Sequence, residues 1–339
     1  MKQTMIKVNR AMGFKSLLVI FMLIIVTPVM AQELTIRFPV EYAADVTPAI
    51  ANKEFAKLIA ERSNNRIRVQ YFPAGSLYKG QDLLQALLRG DADMTTLVSV
   101  YWVAVSPKIA VLELPYSLPT HEAFYKVASN QDFIQDLYSE VEKKGGKVLG
   151  LLAYDYLPIG SRNRALIKPA DLKGLKIRAL GRTNAATLAA FGGTPVSINI
   201  VEVMGALQQG VVDGINTPAD AYVSYKFYEF VRFITYAKYF FGYYPWMVNT
   251  KWWNSIDSRD QKLISDTVQE VAIKHRQRAR IAAEESIAYL KNQGVAIHYQ
   301  TEAEAKEWAA LGERVWIDAE KAYGKPILDK LRGITGTSR

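Results

Sequence analysis

Residues 258–293 contain neither glycine nor proline and are dense in Ala, Glu, Lys, Arg and Gln. These residue types favour helix, and nothing in the run interrupts one. A single helix there is about 50 Å long at about 1.5 Å per residue, longer than one small domain is wide. Such a helix has to touch two bodies, unless it kinks into two shorter ones. Ser258 has the side chain of an N-cap.

The first 31 residues stand outside the fold. Lys2, Lys7, Arg10 and Lys15 precede the apolar stretch LLVIFMLIIV (17–26), and VMA (29–31) offers small residues before Gln32. That is the pattern of a secretory leader cleaved in the mature chain, and the apolar core is too short to span a bilayer comfortably. The expected location is the periplasm. Removing the leader's four basic residues leaves a net charge of about +5 rather than +9, spread along the chain. No block of lysine and arginine interleaved with aromatics is present, so nucleic acid is not an expected partner. The absence of cysteine excludes disulfides, thiolate metal sites and a cysteine nucleophile.

After the leader, hydrophobic periodicity alternates between two and 3.6 residues. ELTIRFPV (33–40) and RIRVQYF (66–72) read as strands, the second with Ile67, Val69 and Tyr71 on one face. Helical spacing lies between them, then through Leu83, Leu84, Leu87 and Leu88, before a strand at ADMTTLVS (92–99). The pattern returns at VLGLLAY (148–154), LKIRAL (175–180), PVSIN (195–199) and VVDGINTP (211–218). Asn199, three residues before Glu202, has the spacing of a capping box. Residues 301–331 read as a further amphipathic helical region, and GITGTSR (333–339) as a frayed end. The fold class is α/β, with two β-α-β units.

Motifs of catalysis are missing. His121, His275 and His298 lack metal-ligand spacing, and no phosphate loop, dinucleotide fingerprint, nucleophile elbow or H-E-x-x-H occurs. SLYK (76–79) matches S-x-x-K but lacks its K-T-G companion, and no two carboxylates are placed as an acid/base pair. Neither an enzyme, a metal nor a cofactor is expected. In paired α/β units a ligand sits outside the carboxyl ends of the strands, which is the geometry of a binding protein.

Five pieces stand in order along the chain: PAGSLYKGQDLLQALLRGDADM (73–94), LELPYSL (112–118), PADLKGLKIRAL (169–180), GGTPVSINIVEVMGALQQGVVDGINTP (192–218) and VNTKWW (248–253). Together they resemble the solute-binding proteins of tripartite ATP-independent periplasmic (TRAP) transporters, the C4-dicarboxylate-binding type. The resemblance implies a two-lobe periplasmic-binding-protein fold of type II, with discontinuous lobes, crossing hinge strands and a long helix bracing both. The implied lobes are 32–155 with 243–282, and 156–242 with 283–339, the last segment comprising the rest of the second lobe and a C-terminal tail. It also implies capture of a small organic acid and its delivery to a small and a large membrane subunit driven by an ion gradient. A receptor for an ATP-driven importer or a sensor kinase is the alternative reading of the same architecture.

By this resemblance Arg178 aligns with the arginine that grips the ligand carboxylate through two hydrogen bonds. A planar guanidinium suits that task better than an ammonium. Asn216 and Thr217 stand where the family has Glu and Asn in a D-G-x-E-N-P turn. Glu41 and Tyr42 after the first strand, and Val98 and Ser99 after the third, fall where members line the cleft. Phe241, Tyr243 and Tyr244 are candidates for an aromatic wall. Ile200 replaces an aromatic of some members, and Pro158 stands where sialic-acid binders carry a second arginine, which argues against that ligand. Glu41 is awkward beside an anion. It either orients Arg178 or accepts a ligand hydroxyl or amine.

Overall fold

The alternation read in RIRVQYF becomes a strand parallel to the first one, with Ile36 aligned on Val69 and Phe38 on Tyr71. The computed structural model describes residues 33–337, so the leader expected over 1–31 lies outside the described residues. The strands in chain order are β1 (Leu34–Pro39), β2 (Ile67–Phe72), β3 (Met94–Thr96), β4 (Gly146–Tyr156), β5 (Ile159–Ser161), β6 (Lys176–Ala179), β7 (Thr194–Ser197), β8 (Gly214–Asn216), β9 (Phe233–Tyr236), β10 (Phe241–Asn249) and β11 (Ala296–Tyr299). β1 and β2 pair with each other, β3-β10-β4 form an antiparallel set, and β11-β9-β5-β8-β6-β7 form a six-stranded sheet. In that sheet β6 is parallel to both neighbours, and β5 runs antiparallel to both of its own.

Two short connections join these systems. Leu157 and Pro158 carry β4 into β5, and residues 237–240 carry β9 into β10. The sheet is tight at this junction: a Cβ on Gly214 of β8 would lie 2.2 Å from the Gly160 carbonyl oxygen of β5. Only a residue without a side chain fits such an approach.

The run without glycine or proline is one helix, Ser258–Asn292. Its cap is Asp257 rather than Ser258, because the Asp257 carboxylate accepts the Asp260 N–H at 2.8 Å. Toward its start, Ile264, Val268 and Val271 pack with Phe38, Phe55 and Trp246. Near its end, Ile287 and Leu290 pack with Leu207 and Ile234 on the six-stranded sheet. The two-body role read from its length is therefore met by two separate cores. A two-point ion pair between Arg66 and Asp260 fixes the first turn. Among the described residues no helix is long and apolar enough to cross a membrane.

The tail departs from expectation. Helix Glu302–Tyr323 places Trp308 against Phe191 and Leu188, beside the six-stranded sheet. Farther on, Val315 and Ala319 join Leu328 and Leu331 of helix Lys325–Thr335 in a core with Phe124, Val127 and Phe133. Residues 302–335 thus pack in two places, beside the six-stranded sheet and in the core with Phe124 and Phe133. The turn between these helices is Gly324 at φ +85, a left-handed conformation that costs glycine little. GIT (333–335) is helical rather than frayed, and Thr335 is buried with its hydroxyl on the Leu331 carbonyl.

One acid lies in the core with no cation beside it. Glu113 is 1% exposed; Ser99 donates to one carboxyl oxygen at 2.7 Å and the other has no partner. Burial pushes Glu113 up to about 7, against the pull of Ser99 and Thr183. The folded protein therefore binds this proton more tightly than the unfolded chain, whose glutamates titrate near 4.5. The sign follows: stability from this site is complete below about 4.5, falls as pH rises, and is lost above about 7. Glu113→Gln is expected to remove the slope. The difference in urea midpoint between variant and parent should grow in the variant's favour between pH 5 and 7.5, at about 1.4 kcal/mol per tenfold change in proton affinity, whereas a difference that stays flat with pH would contradict the assignment.

Candidate ligand-binding site

On β6 the side chains alternate, so Ile177 enters the core beside Leu172 and Leu188 while Arg178 points the other way. Arg178 is 3% exposed. Its Nε donates to the Ile198 carbonyl at 3.0 Å and its Nη1 to the Asn216 carbonyl at 3.1 Å. Both carbonyls lie at the carboxyl ends of the neighbouring strands β7 and β8, so strand pairing itself sets the plane of the guanidinium. Of five N–H donors, two are used, and three remain for the space in front. Burial pulls the guanidinium below its ordinary value, and Tyr101 and Glu41 partly offset this.

That space is a narrow cavity of about 30 Å³, room for a water or two between walls drawn together. Its residues come from both sheet systems: Glu41 and Tyr42 after β1, Val98 after β3, Gly242 and Tyr244 on β10, then Arg178, Thr217 and Tyr225 from the six-stranded side. Polar contacts close it. Thr47 donates its N–H to Asp220 at 2.8 Å and its hydroxyl to the same oxygen at 2.5 Å, and the Ala43 N–H reaches the Tyr225 hydroxyl at 2.8 Å. The Tyr101 hydroxyl donates to the Asn199 side chain at 2.6 Å, and Lys79 pairs with Glu202 at 3.0 Å. Asn199 and Glu202 thus form no capping box; they face across the cleft. Lys79 of the S-x-x-K match is spent in the same way.

Six of the ten candidates line the cavity: Glu41, Tyr42, Val98, Arg178, Thr217 and Tyr244. Four do not. Ser99 turns inward to Glu113. Phe241 and Tyr243 share the opposite face of β10 and pack in the core with Phe124, where Phe241 stacks at 4.7 Å. The Asn216 side chain points away, donating to the Leu157 and Pro158 carbonyls at 2.7 and 3.1 Å, and only its carbonyl serves the site by holding Arg178. Tyr154, Leu180 and Tyr225 are lining residues that the sequence did not single out. Of these, Tyr154 ends a segment read as a buried strand, and Tyr225 follows a short helix with no motif to mark it. Among the described residues no group of three or more His, Cys, Asp and Glu side chains could hold a metal ion.

Glu41 stands on the same cavity as Arg178. Its carboxylate accepts the Gly80 N–H at 2.9 Å. Burial pushes it up to about 7, while Gly80, Arg178 and Tyr101 pull it back.

The model of the bacterial extracellular solute-binding proteins, family 7 (DctP), matches residues 41–322. The chain belongs to this family. It is similar to a solute-binding protein of Verminephrobacter eiseniae, 26% identical over 307 residues, which covers 89% of this chain and 90% of that one. It is also similar to the 2,3-diketo-L-gulonate-binding periplasmic protein YiaO of Escherichia coli, 25% identical over 283 residues and covering 83% and 85%. Its fold matches the sugar acid binding protein DctPAm of Advenella mimigardefordensis in complex with galactonate, with a TM-score of 0.86 at 19% identity over 90% of this chain and 98% of that one. A TRAP periplasmic solute binding protein of Sulfurospirillum deleyianum with bound succinate matches with a TM-score of 0.83 at 24% identity, over 89% and 99%. The architecture is the two-lobe fold of TRAP solute-binding proteins, and the family role is that of a solute-binding receptor.

Asn216 is fully buried, and its amide satisfies two carbonyls of the β4–β5 connection. Asn216→Leu leaves the Leu157 carbonyl without its donor, while the Pro158 carbonyl keeps the Tyr222 hydroxyl at 3.3 Å, a loss of about 1–3 kcal/mol. The expected result is a lower urea midpoint with an unchanged m-value.

Proposed function

We propose that this protein captures a small organic acid in the periplasm and delivers it to the membrane subunits of a TRAP transporter. The observation that carries the reading is Arg178: a buried guanidinium on the cavity wall, fixed by two backbone carbonyls, with three of its five N–H donors unpaired. Two parallel hydrogen bonds to a carboxylate complete its unused donors, and the charge pair forms out of water. The relatives named for carboxylic sugar derivatives support the ligand class, and the leader read in residues 1–31 supports export. In this reading Glu41, Tyr42, Val98 and Tyr244 belong to one lobe and Arg178, Thr217 and Tyr225 to the other. A ligand that touches both favours the closed form by its differential affinity. No bond of the ligand is made or broken.

Isothermal titration against a panel of organic acids tests the anchor. Arg178→Ala and Arg178→Lys are expected to weaken the best ligand by about 30- to 4000-fold, corresponding to the loss of about 2–5 kcal/mol when one partner of a buried charge pair is removed. Circular dichroism of both variants should remain that of the parent. Unchanged affinity in Arg178→Lys would remove the anchor from the site.

A further inference from the structure

The cavity presents one fixed cation and, beside it, one acid. Among its lining residues Arg178 is the sole lysine, arginine or histidine, and Glu41 lines the same space. A ligand bearing a single carboxylate is neutralised by Arg178. A dicarboxylate brings a second charge to a lining that offers no second cation and already contains a carboxyl group. An unpaired buried charge costs several kcal/mol.

We propose that the ligand is a hydroxylated monocarboxylate: its carboxylate takes Arg178, and its hydroxyl groups take Glu41 and the hydroxyls of Thr217, Tyr225 and Tyr244. The inference rests on the anchor reading above and narrows it. These four groups have capacity left for such a ligand. Tyr225 accepts the Ala43 N–H and keeps its own proton to donate. Thr217 and Tyr244 line the cavity, and their hydroxyls make no hydrogen bond to another described residue. Glu41 accepts one N–H, from Gly80, and retains acceptor sites. Because burial pushes it up to about 7, it readily carries a proton, and a neutral carboxyl both donates to and accepts from an alcohol. An ammonium group would instead require the ionised form, which burial opposes. An unsubstituted alkyl acid leaves these hydroxyls facing apolar carbon, with their hydrogen bonds to water lost.

The test is titration calorimetry on the mature chain with D-gluconate, glycerate, butyrate, serine, succinate and malate, repeated in Arg178→Lys, Glu41→Gln and Glu41→Ala. The expected order places gluconate or glycerate at least tenfold tighter than butyrate, serine and both dicarboxylates. Glu41→Gln, which keeps the shape and removes the charge, should hold the hydroxy acid within about fivefold and raise succinate affinity. Glu41→Ala should lose the hydroxy acid by tenfold or more. If succinate or malate binds tightest, or serine does, and Arg178→Lys abolishes that binding, the hydroxylated monocarboxylate is overturned and the anchor stands. If Glu41→Ala leaves every affinity unchanged, the role of Glu41 is overturned. If binding of each acid is indifferent to Arg178→Lys, the anchor itself falls.

Discussion

A guanidinium removed from water is stable only where its donors are met, and the site is organised around meeting two of them with backbone. The carbonyls of Ile198 and Asn216 hold Arg178 from the strands on either side. Those carbonyls keep their places because β6 pairs in parallel with both β7 and β8. The Asn216 side chain then ties β8 to the connection leaving β4. The orientation of one side chain is thus a property of the sheet, not of a loop, which is what a pre-organised binding group requires.

The other half of the cavity comes from a separate sheet system, so the site exists only where the two are brought together. The long helix supplies a rigid link because its two ends sit in different cores. The two chain crossings next to the cavity supply covalent links. Across the opening hydrogen bonds, Thr47 with Asp220 and Tyr101 with Asn199 among them, stand beside an apolar contact of Val100 with the Gly181 turn. Apolar burial secures each half internally, and both kinds of contact shape how the halves meet.

Much of this was legible in the sequence. The helix followed from the absence of breakers over residues 258–293, the α/β class from the changing hydrophobic period, and Arg178 from the motif around it. What could not be read has a physical cause in each instance. In YFFGYYPW both faces of β10 are aromatic, so hydrophobicity alone cannot tell that Phe241 and Tyr243 face the core while Tyr244 faces the cavity. Ser99 and Val98 are adjacent, yet the chain turns there and sends one hydroxyl to a buried acid. Asn199 and Glu202 have capping spacing but found stronger partners across the cleft. Tyr225 reaches the site through the approach of Ala43, a residue 182 positions away, and no local pattern encodes such a meeting. The last helix reverses its allegiance at Gly324, where a flexible residue marks a turn but not its direction.

The ion pair of Lys79 with Glu202 is half exposed on both sides, and such a pair is weak in salt water. At the rim of the cleft it can exchange partners with solvent ions quickly, like a seam that unpicks from its outer edge. A charged surface that approaches this rim can compete for Lys79 or Glu202 without first disturbing any buried residue, whereas the bonds that hold Arg178 lie beyond its reach.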